Sequence, residues 1–222
     1  MTAAVSPLSE TVARELTEQR AESPQAKLAT LTRLWQEAEE TARLANLLGR
    51  APYAAAVLAA AGIATAVLSS PKGPAQSIAW LVLMMAAIAA IARAYWHTIR
   101  APFERAPLRA FAQDLDAIML YAGFTWGAGS LLVLPEGTSL ATLTLFGAGL
   151  PTAMLAILKA YRPSLLFFAP VAGLTGLSAL VGSHPGGTVL AGALLSVSAG
   201  LALAILAIER RGQARIPSLP LT

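Results

Sequence analysis

The stretch FAQDLDAIMLYAGFTWG, residues 111–127, sets Asp114 and Asp116 at the edge of a run that is otherwise apolar. Neighbouring carboxylates can share a proton, bracket a substrate or carry a cation. Residues two apart on a helix point about 200° away from each other, so these two acids cannot face one another across a site. Two roles remain. One acid, more readily the deeper Asp116, serves as an ion or proton site inside a membrane, or both complement the positive end of a helix beside Arg109. The other reactive residue types add little. The chain has no cysteine, which excludes thiol nucleophiles, disulfides and Cys-bound metals. His97 and His184 fall on opposite sides of a membrane in the topology derived below. They are then separated by about 30 Å and cannot share a metal within one subunit. No histidine accompanies the serines of the apolar runs, and no P-loop, GxGxxG or HExxH pattern occurs. The expectation is a protein that is not an enzyme, with no catalytic residue, no metal and no cofactor.

What positions these residues follows from composition. Hydrophobic residues make up 56% of the 222 and charged residues only 13%, about half the charged share of an ordinary soluble domain. The apolar residues come in six blocks, roughly 52–69, 77–96, 117–134, 139–161, 164–181 and 188–208, each near the length that crosses a hydrocarbon core. Proline- and glycine-rich breaks such as SPKGP, PEGT, YRPS and SHPGG separate them. Counting alternate loops, 15 of the 16 lysines and arginines fall on one side, with Lys72 alone on the other. Basic residues near spans are retained in the cytoplasm, so both termini are expected there. The pI of about 9.9 therefore reports orientation, and no nucleic acid partner is expected. Tyr95, Trp96, His97 and Arg100 read as an interfacial belt at the inner end of the second span. No early apolar segment marks a cleavable signal peptide. The expected fold class is all-α: a polytopic membrane protein of six transmembrane helices (51–209) after a cytoplasmic amphipathic arm (1–50), with a short tail (210–222). The outward loops are a few residues long, so any stimulus must be membrane-borne, small, or a property of the lipid bilayer itself.

Ser23 followed by Pro24 resembles a helix start, opening a helix expected to run to Leu48. Leu28, Leu31, Trp35, Ala38, Ala42 and Ala45 are spaced as a coiled-coil seam. Leu28, Leu31, Trp35 and Ala38 form the candidate seam for a homodimer or a cytoplasmic or membrane protein partner. The alternative is a helix lying on its own bundle or on the membrane surface. A shorter helix with Leu8, Val12 and Leu16 on one stripe is expected before it. Small residues mark a second candidate region: Gly123 and Gly127 form a GxxxG around Trp126, which permits close helix approach. Gly147, Gly149 and Pro151 lie mid-span in LFGAGLPTA, where a helix can kink, break or line a pocket.

The runs FTWGAGSLLVLP, LFGAGLPTA and RPSLLFFAP together resemble the MASE-like membrane sensor region that precedes diguanylate cyclase or histidine kinase modules in many bacterial proteins. Trp126, Gly127, Pro135, Gly147, Gly149, Pro163, Phe167 and Pro170 carry the resemblance, which spans about residues 50–210. It implies a signalling input domain in a bacterial inner membrane. Only ERRGQARIPSLPLT follows Ile208, too short for an output domain, so the input would act through a partner. A small transporter or channel-like subunit built on Asp116 and the broken fourth span, or a structural accessory subunit, are the other functions compatible with the sequence.

Overall fold

A computed structural model describes residues 24–69, 74–102, 104–134, 138–181 and 187–213, with side chains at 24–26, 69, 198, 201–202 and 204–213 excepted. The short helix expected near Leu8, the turns with Lys72 and His184 that are expected to face outward, and the tail beyond 213 lie outside the described residues. Among the described residues the chain is all-helical. The elements are α1 (Pro24–Ser69), α2 (Pro74–Arg100), α3 (Arg105–Leu132), α4 (Leu140–Thr144), a π-helical turn (Leu145–Gly149), α5 (Leu150–Leu158), α6 (Tyr161–Val181) and α7 (Gly187–Gln213).

Four helical stretches are long and apolar enough to cross a membrane: Lys27–Leu68, Pro74–Arg100, Leu140–Leu158 and Tyr161–Val181. Their outward faces carry large apolar side chains. Val82 is 61% exposed, Leu145 71% and Val181 70%. Such a surface is an aggregation hazard in water and the proper surface in hydrocarbon. These features suggest a membrane protein.

The helix that begins at Pro24 does not end at Leu48 but continues to Ser69. Gly49 has open space around it, and Pro52 stands inside the helix without ending it. The chain divides into two compact units, residues up to Arg43 and residues from Leu44. Leu47, Leu48 and Ala51 are buried in the main core, with Leu44 packed against it.

Within the larger unit the closest helix pairs are α3 with α6, α6 with α7, and α2 with α3. In lipid there is no hydrophobic force between helices, so close packing of small residues has to supply the cohesion. Gly123 and Gly127 do so on α3: a Cβ at Gly123 would sit 2.4 Å from the Phe167 carbonyl oxygen, and one at Gly127 would sit 2.9 Å from that of Pro170. Further along, the Ser130 hydroxyl donates to the Gly127 carbonyl at 2.7 Å, and Ser178 of α6 donates to the Ser130 carbonyl at 2.9 Å. α1 packs through side chains such as Ala54 and Leu58, both fully buried, rather than through close backbone approach.

One end of this unit gathers polar contacts. Arg50 of α1 donates to the Ile157 carbonyl at 3.4 Å, so a cation satisfies a carbonyl that α5 leaves open at its C-terminus. Lys159 adopts the left-handed conformation (φ 48°), its N–H bonds the Leu155 carbonyl at 3.0 Å, and the chain turns directly into α6.

Gly123→Ala and Gly127→Ala should each destabilise the bundle by about 1–3 kcal/mol, because the added methyl meets backbone. Gly192 has open space around it, so Gly192→Ala should stabilise or stay within about 0.5 kcal/mol. Unfolding in mild detergent measures all three.

Candidate functional site

The mid-chain glycines and proline create a backbone problem that Trp126 solves. Over Leu145–Gly149 the helix takes π geometry, in which a carbonyl accepts from the N–H five residues on. For Phe146 that residue is Pro151, which has no N–H. The Phe146 carbonyl is thus left without an intrahelical donor in a buried place. The indole N–H of Trp126, from α3, donates to it at 3.0 Å. The Trp126 ring also stacks on the Phe146 ring, centroids 4.6 Å apart and planes 14° from parallel. One residue therefore supplies both the missing donor and an aromatic contact to the irregular turn.

A second tryptophan backs the first. Trp80 of α2 lies 5.6 Å from Trp126, ring to ring, and its N–H donates to the Thr125 carbonyl at 2.7 Å. Gly129 makes room for it, since a Cβ there would lie 2.7 Å from the Trp80 indole nitrogen. Gly127 and Gly129, two apart, thus serve opposite faces of α3, one toward α6 and one toward α2. Gly147 gives the π turn close access to α6, where its Cβ would meet Thr175 Cγ2 at 3.0 Å. Gly149 faces only Leu145 of its own turn.

Beside Trp126 and the π turn lies a pocket of about 670 Å³, mostly apolar, closed on one side by Ala61, Thr65 and Leu68 of α1. Its other walls include Trp126, Phe146 and Leu150, while Thr138, Ser139 and Thr142 bring hydroxyl groups to one end. Among the described residues no charged side chain lines it. Leu68 and Leu145, both largely exposed, are among its lining residues, so the pocket is open to the protein surface. Its volume falls within the range of small-molecule sites, which are concave, apolar and marked by a few polar groups.

The acids are elsewhere and apart. Asp116, 17% exposed, forms an ion pair with Arg162 at the start of α6, 3.0 Å. Asp114 is exposed and lines a separate hollow between α2 and α3. In the belt on α2, the Arg100 guanidinium sits 4.5 Å from the centre of the Trp96 ring. On the arm, Leu28, Leu31 and Trp35 are all well exposed, as is Ala38, and salt bridges Arg33–Glu37 and Arg43–Glu39 run along other faces of the helix. Among the described residues no group of three or more His, Asp or Glu is placed to hold a metal ion.

Sequence reasoning named Trp126 and the glycines but missed Trp80, Phe146 and Gly129. A proline five residues after a buried aromatic was the available signal. Comparison with protein-family models, curated proteins and solved structures finds no match to the chain, so function must be read from its own geometry.

Trp126→Phe keeps the ring and removes the donor, and should cost about 1–3 kcal/mol through the orphaned carbonyl. Pro151→Ala returns a backbone N–H to the turn, so in the Trp126→Phe background it should recover part of that loss. Unfolding of the two single variants and the double variant, read as a double-mutant cycle, tests this; strict additivity would contradict it.

Proposed function

We propose that the chain is a six-span sensory or regulatory module of a bacterial inner membrane, with both termini cytoplasmic. It responds to a small apolar molecule dissolved in the bilayer and acts through a dimer or a partner protein. The observation that carries this is the largely apolar pocket walled by Trp126 and the π turn. A π turn is a register defect with an α-helical alternative close in energy, a frequent feature of functional sites. A ligand that presses on Phe146 and Leu150 changes the register of α5, and Arg50 on the Ile157 carbonyl connects that helix to α1, which continues toward the seam residues Leu28, Leu31, Trp35 and Ala38.

Support for two spans beyond the four apolar stretches comes from α3 and α7. α3 is 28 residues long, about 42 Å, and packs on both α2 and α6. Its Gly, Ser, Thr and Trp residues lower its mean hydropathy because they face protein rather than lipid. α7, 27 residues, packs on α6. Arg50, Asp116 and Arg162 meet protein groups from neighbouring helices at one end of the bundle, in keeping with a shared cytoplasmic side. The Asp116–Arg162 ion pair also weakens the transporter alternative, because the acid already holds a counter-ion.

A spin-labelled or brominated short-chain fatty acid in the pocket should quench Trp126, and Ala153→Phe, which fills the pocket, should abolish that part of the quenching. Undiminished quenching in Ala153→Phe, or none in the wild type that Trp126→Phe removes, would refute the ligand site. For the output, single cysteines at Leu28 or Leu31 in this cysteine-free chain should cross-link to a second copy or a partner in membranes. Absence of any cross-link along the seam would refute the arm's role.

A further inference from the structure

The cytoplasmic end of α2 carries a second built feature. Arg93, His97 and Arg100 follow one another at intervals of four and three residues, which puts them on one face of the helix within about 60°. Arg100 is engaged with the Trp96 ring. Arg93 and His97 have no ion pair or hydrogen bond to the protein among the described residues. Both line two adjoining hollows. One, about 650 Å³, is a slot between α2 and α3 whose walls are largely alanine, including Ala90, Ala94, Ala110 and Ala117, with Phe111 at its side. The other, about 480 Å³, is a notch formed by Arg93, Trp96, His97, Arg100 and Ala101. Arg93 and His97 stand where the apolar slot meets the basic notch.

That shape is amphiphilic, and it also presents a charge problem. Arg93 lies seven residues, about 10 Å, inward of Arg100 along the helix. Orienting a protein in the membrane requires positive charge near a span end; it does not require an unpaired guanidinium two turns further in, where desolvation is costly. A guanidinium at that depth extends along the helix toward the headgroup level, where the anion at hand is the phosphate of a lipid. Asp114 shares the slot, and its carboxylate opposes a doubly charged group, which favours a phosphodiester with a single negative charge.

We infer that the α2–α3 slot and its notch bind an anionic phosphodiester lipid, its phosphate held by Arg93 and His97, its acyl chain lying along the alanines. The inference rests on the membrane topology proposed above. The site is distinct from the Trp126 pocket and shares no residue with it.

The test is thermal unfolding of the full chain in mild-detergent micelles supplemented with phosphatidylglycerol or with phosphatidylcholine. Phosphatidylglycerol should raise the midpoint and phosphatidylcholine should not. Arg93→Gln should weaken the apparent affinity about fivefold, the scale of one juxtamembrane charge, Arg93→Lys should lose less, and Arg93→Gln with His97→Gln should abolish the difference between the lipids. Asp114→Asn should tighten phosphatidylglycerol binding, a gain that a merely damaged fold cannot mimic. Equal shifts with both lipids, an undiminished shift in the double variant, or weaker binding in Asp114→Asn would overturn the proposal. Soluble glycerol phosphate should not displace the lipid; if it does so fully, the site belongs to a free anion and the lipid assignment falls. Topology is checked separately with a single cysteine at Thr98 and an impermeant maleimide. Labelling in intact cells would refute the cytoplasmic placement, while the micelle measurement still decides lipid binding.

Discussion

A carbonyl that its own helix cannot satisfy must find a donor elsewhere, and in an apolar environment that requirement is strict. Phe146 poses it, because the π register assigns its bond to Pro151. Trp126 answers it across the helix interface. Much of the centre follows from that single bond. The indole has to lie flat on Phe146, Trp80 fills the space behind it, and Gly129 has to lack a side chain so that Trp80 can approach. The pocket lies between the widened turn, the Trp126 ring and the wall that α1 supplies.

Close and loose packing are divided between the helices. α3 and α6 meet over glycines and serines at distances that exclude even a methyl group, the kind of contact that holds helices together where lipid competes equally for apolar surface. α1 contributes Ala51, Ala54 and Leu58 to the core, but Gly62, facing Leu81 at 3.6 Å, is under no such compression. The rigid pair holds the geometry of the tryptophans, and the looser helix borders the cavity. A ligand that entered would have less to displace on the α1 side.

The alternation of apolar blocks and Pro/Gly breaks made the helices legible in the sequence, since helix length and termination are local properties. The helical course of α1 over residues 24–48 was legible for the same reason. Its continuation past Leu48 was not, because Gly49 and Pro52 look like a break until the burial of Leu47, Leu48 and Ala51 shows what carries the helix through. The opposite facing of Asp114 and Asp116 followed from helical geometry alone. The partner of Asp116 did not, as Arg162 lies far along the chain. Pairings of this kind, like those of Trp80 with Thr125 and Trp126 with Phe146, depend on which helices become neighbours, and a single sequence of apolar segments says little about that. The GxxxG of Gly123 and Gly127 was visible as a pattern, but that Gly129 serves the other face became apparent only from the ring it accommodates.

If the open edge of the Trp126 pocket, beside Leu68 and Leu145, faces lipid as proposed, that has a thermodynamic consequence. A molecule arriving by that route is delivered from a two-dimensional reservoir, where its local abundance is multiplied by its partition coefficient between oil and water. Occupancy is then governed by moles of compound per mole of lipid. Diluting the aqueous phase would hardly alter it, whereas adding empty vesicles would drain the site.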